Sequence, residues 1–210
     1  MSLFITFEGP DGAGKTTQVA LLAAYLTDQG HNVIQTREPG GTAIGDQIRQ
    51  VLHDVDNAQM TSEAEILLYS ASRAQLVGQL IKPHLAAKAT VLCDRYADST
   101  YAYQGYGRGL DLVTLTQITH FATQGLKPDL TFFLDLPVEV GLARKQVANQ
   151  IGAGEWNRMD QLALEFHQRV RQGFLALAQA DPKRWRIIDA NQPVEVVQQI
   201  IRASIQLSQS

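Results

Sequence analysis

At 210 residues the chain has the length of one domain, long enough to bury roughly 70% of its unfolded surface. Its composition, 45% hydrophobic and 19% charged, is that of a soluble globular protein, and a net charge of −3 excludes broad electrostatic attraction to nucleic acid or to an anionic membrane. One cysteine, Cys93, excludes an internal disulfide and fits a reducing compartment; no stretch approaches the ~18 apolar residues of a membrane helix and the start MSLFITFEGPDG lacks a leader pattern, so a cytoplasmic location is expected.

Residues 3–8 form a compact β-like run that ends in Gly9-Pro10. Residues 16–29 carry Val19, Leu22, Ala23 and Leu26 at helical spacing, with Gly30 as a stop. Residues 32–37 read as a second strand, 43–53 as a helix, and 62–85 as another with Pro83 near its end. A third strand over 90–93 runs into Asp94-Arg95-Tyr96, followed by a helix over 112–124 and a fourth strand over 130–136. A helix over 138–150 is interrupted at Gly152-Ala153-Gly154, and a long helix resumes over 160–180. A fifth strand covers 185–188 and a last helix 194–206. Short strands alternating with helices predict an α/β fold: a five-stranded parallel sheet with helices on both faces, in one domain spanning 1–210. In such folds ligands bind beyond the carboxyl ends of the strands, where the motifs below fall.

Gly9, Pro10, Asp11, Gly12, Ala13, Gly14, Lys15 and Thr16 match G-x-x-x-x-G-K-[ST] in full. Glycines let the backbone wrap closely enough for its N–H groups to face phosphate oxygens, and the helix that follows points its positive end at the same anion. Lys15 adds a cation near the β- and γ-phosphates, Thr16 can ligate Mg²⁺ and Thr17 extends the loop, so ATP with Mg²⁺ is expected. Asp94, at the end of the third strand, suits a carboxylate that organises the metal through water. By itself the loop fixes phosphate binding and not what is done with the phosphate. A slowly hydrolysing, nucleotide-responsive binding module and a kinase for another small acceptor remain open on this motif alone. The N-K-x-D segment of switch GTPases is absent in suitable context.

A second polar cluster with aromatics suits another substrate. Arg37-Glu38-Pro39-Gly40-Gly41-Thr42 closes the second strand, Tyr69 and Arg73 share a helix face at i, i+4, and Asp94-Arg95-Tyr96 leads to Ser99-Thr100 and Ala102-Tyr103-Gln104. In order and spacing these segments resemble the thymidylate kinase family, of the nucleoside monophosphate kinase type of P-loop protein with a short lid. The similarity runs over nearly the whole chain, from the P-loop to residues 189–193. The resemblance implies phosphorylation of dTMP to dTDP with ATP and Mg²⁺, small-molecule nucleotide partners, and a homodimer. It implies that Tyr69 stacks on thymine, Arg73 bonds a base carbonyl, and Gln104 contacts the nucleotide. Arg95 would hold the dTMP phosphate, with Ser99 beside it in the signature. Asp11 would meet the deoxyribose 3′-hydroxyl or a metal-bound water, Tyr103 would crowd the 2′ position, and Glu38 would lie near the metal and the substrate phosphate.

Some members of that family carry an Arg within the P-loop, where this chain has Gly12 and Ala13. The missing cation is therefore expected in a lid over residues 140–160, which holds Arg144, Lys145 and Arg158. Arg158 is expected at the transferred phosphoryl group and Arg144 nearer the adenine. Closure of such a lid would also exclude water.

Overall fold

Strands β1 (Phe4–Glu8), β2 (Val33–Arg37), β3 (Thr90–Asp94), β4 (Leu130–Asp135) and β5 (Trp185–Asp189) form a parallel sheet ordered β2-β3-β1-β4-β5 in the computed structural model, which describes residues 2–207. The two-residue period of a strand explains why helices must cover both faces. Along β4, Phe132 and Leu134 enter a core with Ile5, Phe7 and Leu22, while the intervening Phe133 enters another with Phe174 and Trp185. Along β3, Leu92 joins the first of these cores, and its neighbours Val91 and Cys93 join a third with Phe4 and Tyr96.

Helix α1 (Lys15–Asp28) leaves the central strand and buries Val19, Leu22, Ala23 and Leu26, the residues its periodicity marks. Helix α2 (Ala43–His53) starts where the Thr42 side chain accepts from Gly45 N at 3.0 Å, and α3 (Ser62–Leu76) where Thr61 accepts from Ala64 N at 3.2 Å. The helix expected over 62–85 is interrupted: a π-helical turn at Val77–Ile81 precedes the short α4 (Lys82–Ala86). Pro83 has no N–H to give Gln79 O, the carbonyl four residues back, and one residue on, the His84 ring sits with Nδ1 2.7 Å from Leu80 O. After β3, α5 (Ala97–Thr100) runs into a second π-helical turn, Tyr101–Gly107, followed by α6 (Leu112–Thr123) capped by Asp111.

Helix α7 (Val138–Gln150) follows β4. The next long helix, α8 (Leu164–Ala180), begins four residues later than the sequence pattern suggests. Residues 158–161 form a separate 3₁₀ turn, closed by reciprocal capping between Asn157 and Asp160, before an extended Leu162 and Ala163. Helix α9 (Val194–Leu207) packs against α1. No helix among the described residues is long and apolar enough to cross a membrane.

Candidate active site

The loop from Gly9 to Gly14 joins the central strand to α1, at the point where the connection from β1 runs to one side of the sheet and that from neighbouring β3 to the other. Gly12 has φ +77°, and a Cβ there would overlap the carbonyl of Gly141 in α7. The loop and the first turn of α7 therefore meet backbone to backbone, which explains why a larger residue is missing at Gly12. Ala13 is buried in the core beneath α1 and has no room for an Arg either. Lys15 is buried and folds back to donate to Pro10 O at 2.9 Å and Gly9 O at 3.2 Å. Burial, with Arg95 nearby, lowers its ammonium pKa to about 8.

Thr16 Oγ1 donates to Asp94 Oδ2 at 2.5 Å, so the two residues marked for a metal meet at the mouth of the loop. The next residue, Arg95, has φ +67°, a left-handed backbone unusual for a side chain of its size. Three contacts hold it there. Arg95 N–H donates to Phe7 O at 2.9 Å, the Cys93 thiol donates to Arg95 O at 2.9 Å, and Tyr96 N–H donates to Glu8 Oε1 at 2.8 Å. Glu8 is wholly buried at the end of β1 and also accepts from Ser99 Oγ at 2.5 Å. Burial pushes its carboxyl pKa up to about 8, with Asp98 adding to the shift and Arg95, Ser99 and Tyr96 opposing it. So aimed, the Arg95 guanidinium donates to Asp11 Oδ1 at 2.9 Å, Tyr103 Oη at 3.1 Å and Ser99 Oγ at 3.3 Å. Burial alone would raise the Asp11 pKa, but Arg95, Lys15 and Lys145 together hold it far below the usual carboxylate range.

Helix α3 supplies another wall. Tyr69 lines the cleft, and Arg73, one turn on, is only 2% exposed. Glu38 Oε2 receives Arg73 Nε at 2.8 Å and Nη2 at 2.7 Å, while Thr100 Oγ1 and Tyr96 O accept from Nη1 and Nη2. Of the five guanidinium hydrogens one on Nη1 is left over by these bonds. Glu38 Oε1, buried in the cleft wall, has no partner among the described residues. Gln104 also lines the cleft, with its Nε2 committed to Glu65 Oε1 at 2.8 Å.

The lid differs from the sequence expectation in one respect. Arg144 reaches Ala190 O at 3.3 Å and Asn191 Oδ1 at 3.2 Å, and lines the cleft. Arg158 does not face the cleft: it is buried, donating to Glu65 Oε2 at 2.6 Å and Leu52 O at 3.2 Å. Its position in the capped turn directs it under the lid instead of across the P-loop. The lid cation nearest the loop is Lys145, 2.6 Å from Asp160 and 4.0 Å from Asp11 Oδ2. The tip of the lid rests on α2, where Glu155 accepts from Arg49 at 2.8 Å and meets His53 Nδ1 at 2.9 Å. Glu8 and Glu65 were not singled out from the sequence, although Glu8 is the one charge in an apolar strand and Glu65 continues the Tyr69/Arg73 spacing backwards by one turn.

These groups surround a cleft of about 500 Å³ running from the P-loop past Arg95 to Tyr69 and the lid. A P-loop beside the central strand, a cation-lined second wall and a helical lid define a P-loop phosphotransferase of the nucleoside monophosphate kinase type. The family model for thymidylate kinase matches residues 7–201. Thymidylate kinases of Roseiflexus castenholzii and Geotalea uraniireducens are each 52% identical to the chain, over 98% of it and over 93% and 97% of their own lengths. The crystal structure of thymidylate kinase from Ehrlichia chaffeensis superposes with a TM-score of 0.78 at 35% identity, covering 98% of each chain. The chain belongs to the thymidylate kinase family.

Proposed function

We propose that the chain transfers the γ-phosphoryl group of ATP to the phosphate of dTMP, giving dTDP and ADP. The observation that carries this reading is the placement of Lys15 and Arg95 on either side of Asp11 in one cleft: a donor loop and an acceptor clamp sharing one boundary. An acceptor phosphate oxygen is already ionised at neutral pH and attacks the γ-phosphorus as the bond to the β-phosphate oxygen breaks. No strong base is needed; alignment and charge neutralisation do most of what is required.

In this reading Lys15 leaves the carbonyls of Gly9 and Pro10 for the β- and γ-phosphates, and the loop amides from Asp11 to Thr17 bind the rest. Arg95 holds the acceptor phosphate with Ser99, and Asp11 meets the sugar 3′-hydroxyl. Tyr103, under the Arg95 guanidinium at 5.1 Å, fills the space a 2′-hydroxyl would need. Tyr69 stacks on the base, with Arg73 and Gln104 at its edge and Glu38 fixing Arg73. Lys145, in place of Arg158, brings the lid charge to the transferred group, and Arg144 lies toward the adenine. Thr16 and Asp94 would hold Mg²⁺, since they bring a hydroxyl and a carboxylate together at the mouth of the loop, oxygen donors that suit a hard cation. When bound, Mg²⁺ neutralises charge on the β- and γ-phosphates.

The working form in this reading is a cytoplasmic homodimer. Helices α3 and α6 lie side by side, and they expose Leu67, Val113 and Phe121, the last 85% exposed. A second copy of the chain would cover that apolar strip. A coupled ADP-release assay across dTMP, AMP, CMP and thymidine tests the activity. Preference for dTMP is expected, and turnover no better with dTMP than with the others would defeat the assignment.

A further inference from the structure

Glu65 is wholly buried on α3, one turn before Tyr69 and two before Arg73, so the three share a helix face. Its carboxylate gathers donors from two parts of the molecule. From the turn that carries the acceptor wall, Gln104 Nε2 reaches Oε1 at 2.8 Å, and Arg108 reaches Oε1 at 3.3 Å and Oε2 at 2.9 Å. From the root of the lid, Arg158 Nη2 reaches Oε2 at 2.6 Å. Burial alone would raise the carboxyl pKa, but these hydrogen bonds lower it and keep the group ionised.

The contact continues beyond Arg158. Arg158 opens the 3₁₀ turn whose capping pair, Asn157 and Asp160, fixes Asp160 against Lys145 at 2.6 Å. Lys145 in turn lies 4.0 Å from Asp11, which holds Arg95. Gln104 and Lys145, on opposite sides of the cleft, are thus joined through one carboxylate and one capped turn. Removing Glu65 is the costly side of this buried pair, because Arg158 would keep Leu52 O but lose its counter-charge, whereas Glu65 without Arg158 would keep Arg108 and Gln104.

We infer that Glu65 is a positioning residue that couples the acceptor-base wall to the lid, so that order at Gln104 and the placement of Lys145 depend on each other. It touches neither nucleotide. It makes dTMP and ATP bind cooperatively and sets the lid cation for transfer. This rests on the dTMP and ATP reading of the cleft given above. The alternative is that the ion pair only stabilises the fold.

The two are separated by calorimetric titration of dTMP with and without a non-hydrolysable ATP analogue, together with steady-state rates, for the wild type, Glu65→Gln, Arg158→Lys and the double variant. In the wild type the analogue should tighten dTMP binding by at least about fivefold. In Glu65→Gln that factor should fall towards one and kcat should fall by about tenfold or more, while the analogue alone binds within about twofold of wild type. Arg158→Lys, which keeps the charge and loses the fork, should show the same pattern in milder form, and the double variant should be no worse than Glu65→Gln. Wild-type coupling and kcat in the folded variants would overturn the inference. So would an absence of dTMP–analogue coupling in the wild type, or a loss of analogue binding equal to the loss in kcat. If Glu65→Gln does not fold, Arg158→Lys alone decides between these outcomes. Turnover of dTMP by the wild type, read in the same assay, tests the activity separately.

Discussion

Arg95 Nη2 lies 2.9 Å from Asp11 Oδ1, so the side chain proposed to hold the acceptor phosphate is in direct contact with the P-loop. The guanidinium is also turned over the Tyr103 ring and bonded to its hydroxyl, leaving little rotamer freedom to lose on binding. Arg95→Ala should therefore raise the KM for dTMP and lower kcat, with kcat/KM falling by about 10²-fold or more. Arg95→Lys should recover little, because a point charge cannot reproduce the fork that spans Asp11, Ser99 and Tyr103. Steady-state kinetics with dTMP varied at saturating ATP measures both; an unchanged KM for dTMP would remove Arg95 from the pocket.

Among the described residues Lys15 donates to carbonyls of its own loop, and in the proposed reaction phosphate would replace them. Lys15→Ala should cost about 10²–10³-fold in kcat with circular dichroism and melting close to wild type. A comparable loss of helicity would show that the lysine instead holds the loop together.

Glu8 pins the left-handed backbone of Arg95 from below, and its carboxyl pKa stands near 8 against an ordinary 4.5. The folded protein therefore retains a proton that the unfolded chain has lost between pH 4.5 and 8, and stability declines as pH rises through that window, by up to about 1.4 kcal/mol per pH unit. Glu8→Gln should flatten this slope and keep an acceptor for Tyr96 N–H, with a KM for dTMP near wild type. Glu8→Ala should lose the acceptor and raise that KM. Denaturant melts at pH 5, 6.5 and 8 read the slope, and an equal slope in wild type and Glu8→Gln would refute the assignment.

Gly12→Ala combines a left-handed backbone with a Cβ pressed onto the Gly141 carbonyl. It should destabilise the protein by about 2–5 kcal/mol and weaken ATP binding by more than dTMP binding. Gly14→Ala shares the positive φ, 85°, but has open space around it and should cost less. Thermal melts of the two variants test the ranking.

The positions and type of the strands were legible because each is a short apolar run bounded by glycine, proline or charge, and β4 shows how a continuous run means burial on both faces. The π turns were not. A π turn shifts the helical register by one residue over a stretch too short to show its own period, so Tyr101–Gly107 looks like ordinary helix or loop in a sequence. The same limit applies within the site. The P-loop and the Asp94-Arg95-Tyr96 segment are contiguous and carry their spacing with them. Glu65 and Arg158 are 93 residues apart, and nothing local shows that one neutralises the other, so Arg158 read as a free lid cation and Lys145 was passed over.

The backbone contact between Gly12 and Gly141 would also set the pivot of a moving lid. With the start of α7 seated on the P-loop, rotation must be taken up beyond Gly141, and displacement grows with distance along the lever. Lys145 is one turn past that fulcrum, about 6 Å along the axis, whereas the end of the helix at Gln150 is about 14 Å away and Glu155 further still. A swing wide enough to lift Glu155 off Arg49 and His53 and admit a nucleotide moves the lysine by less than half as much. In the proposed reaction, such a gate would open widely while Lys145 stayed close to the phosphates.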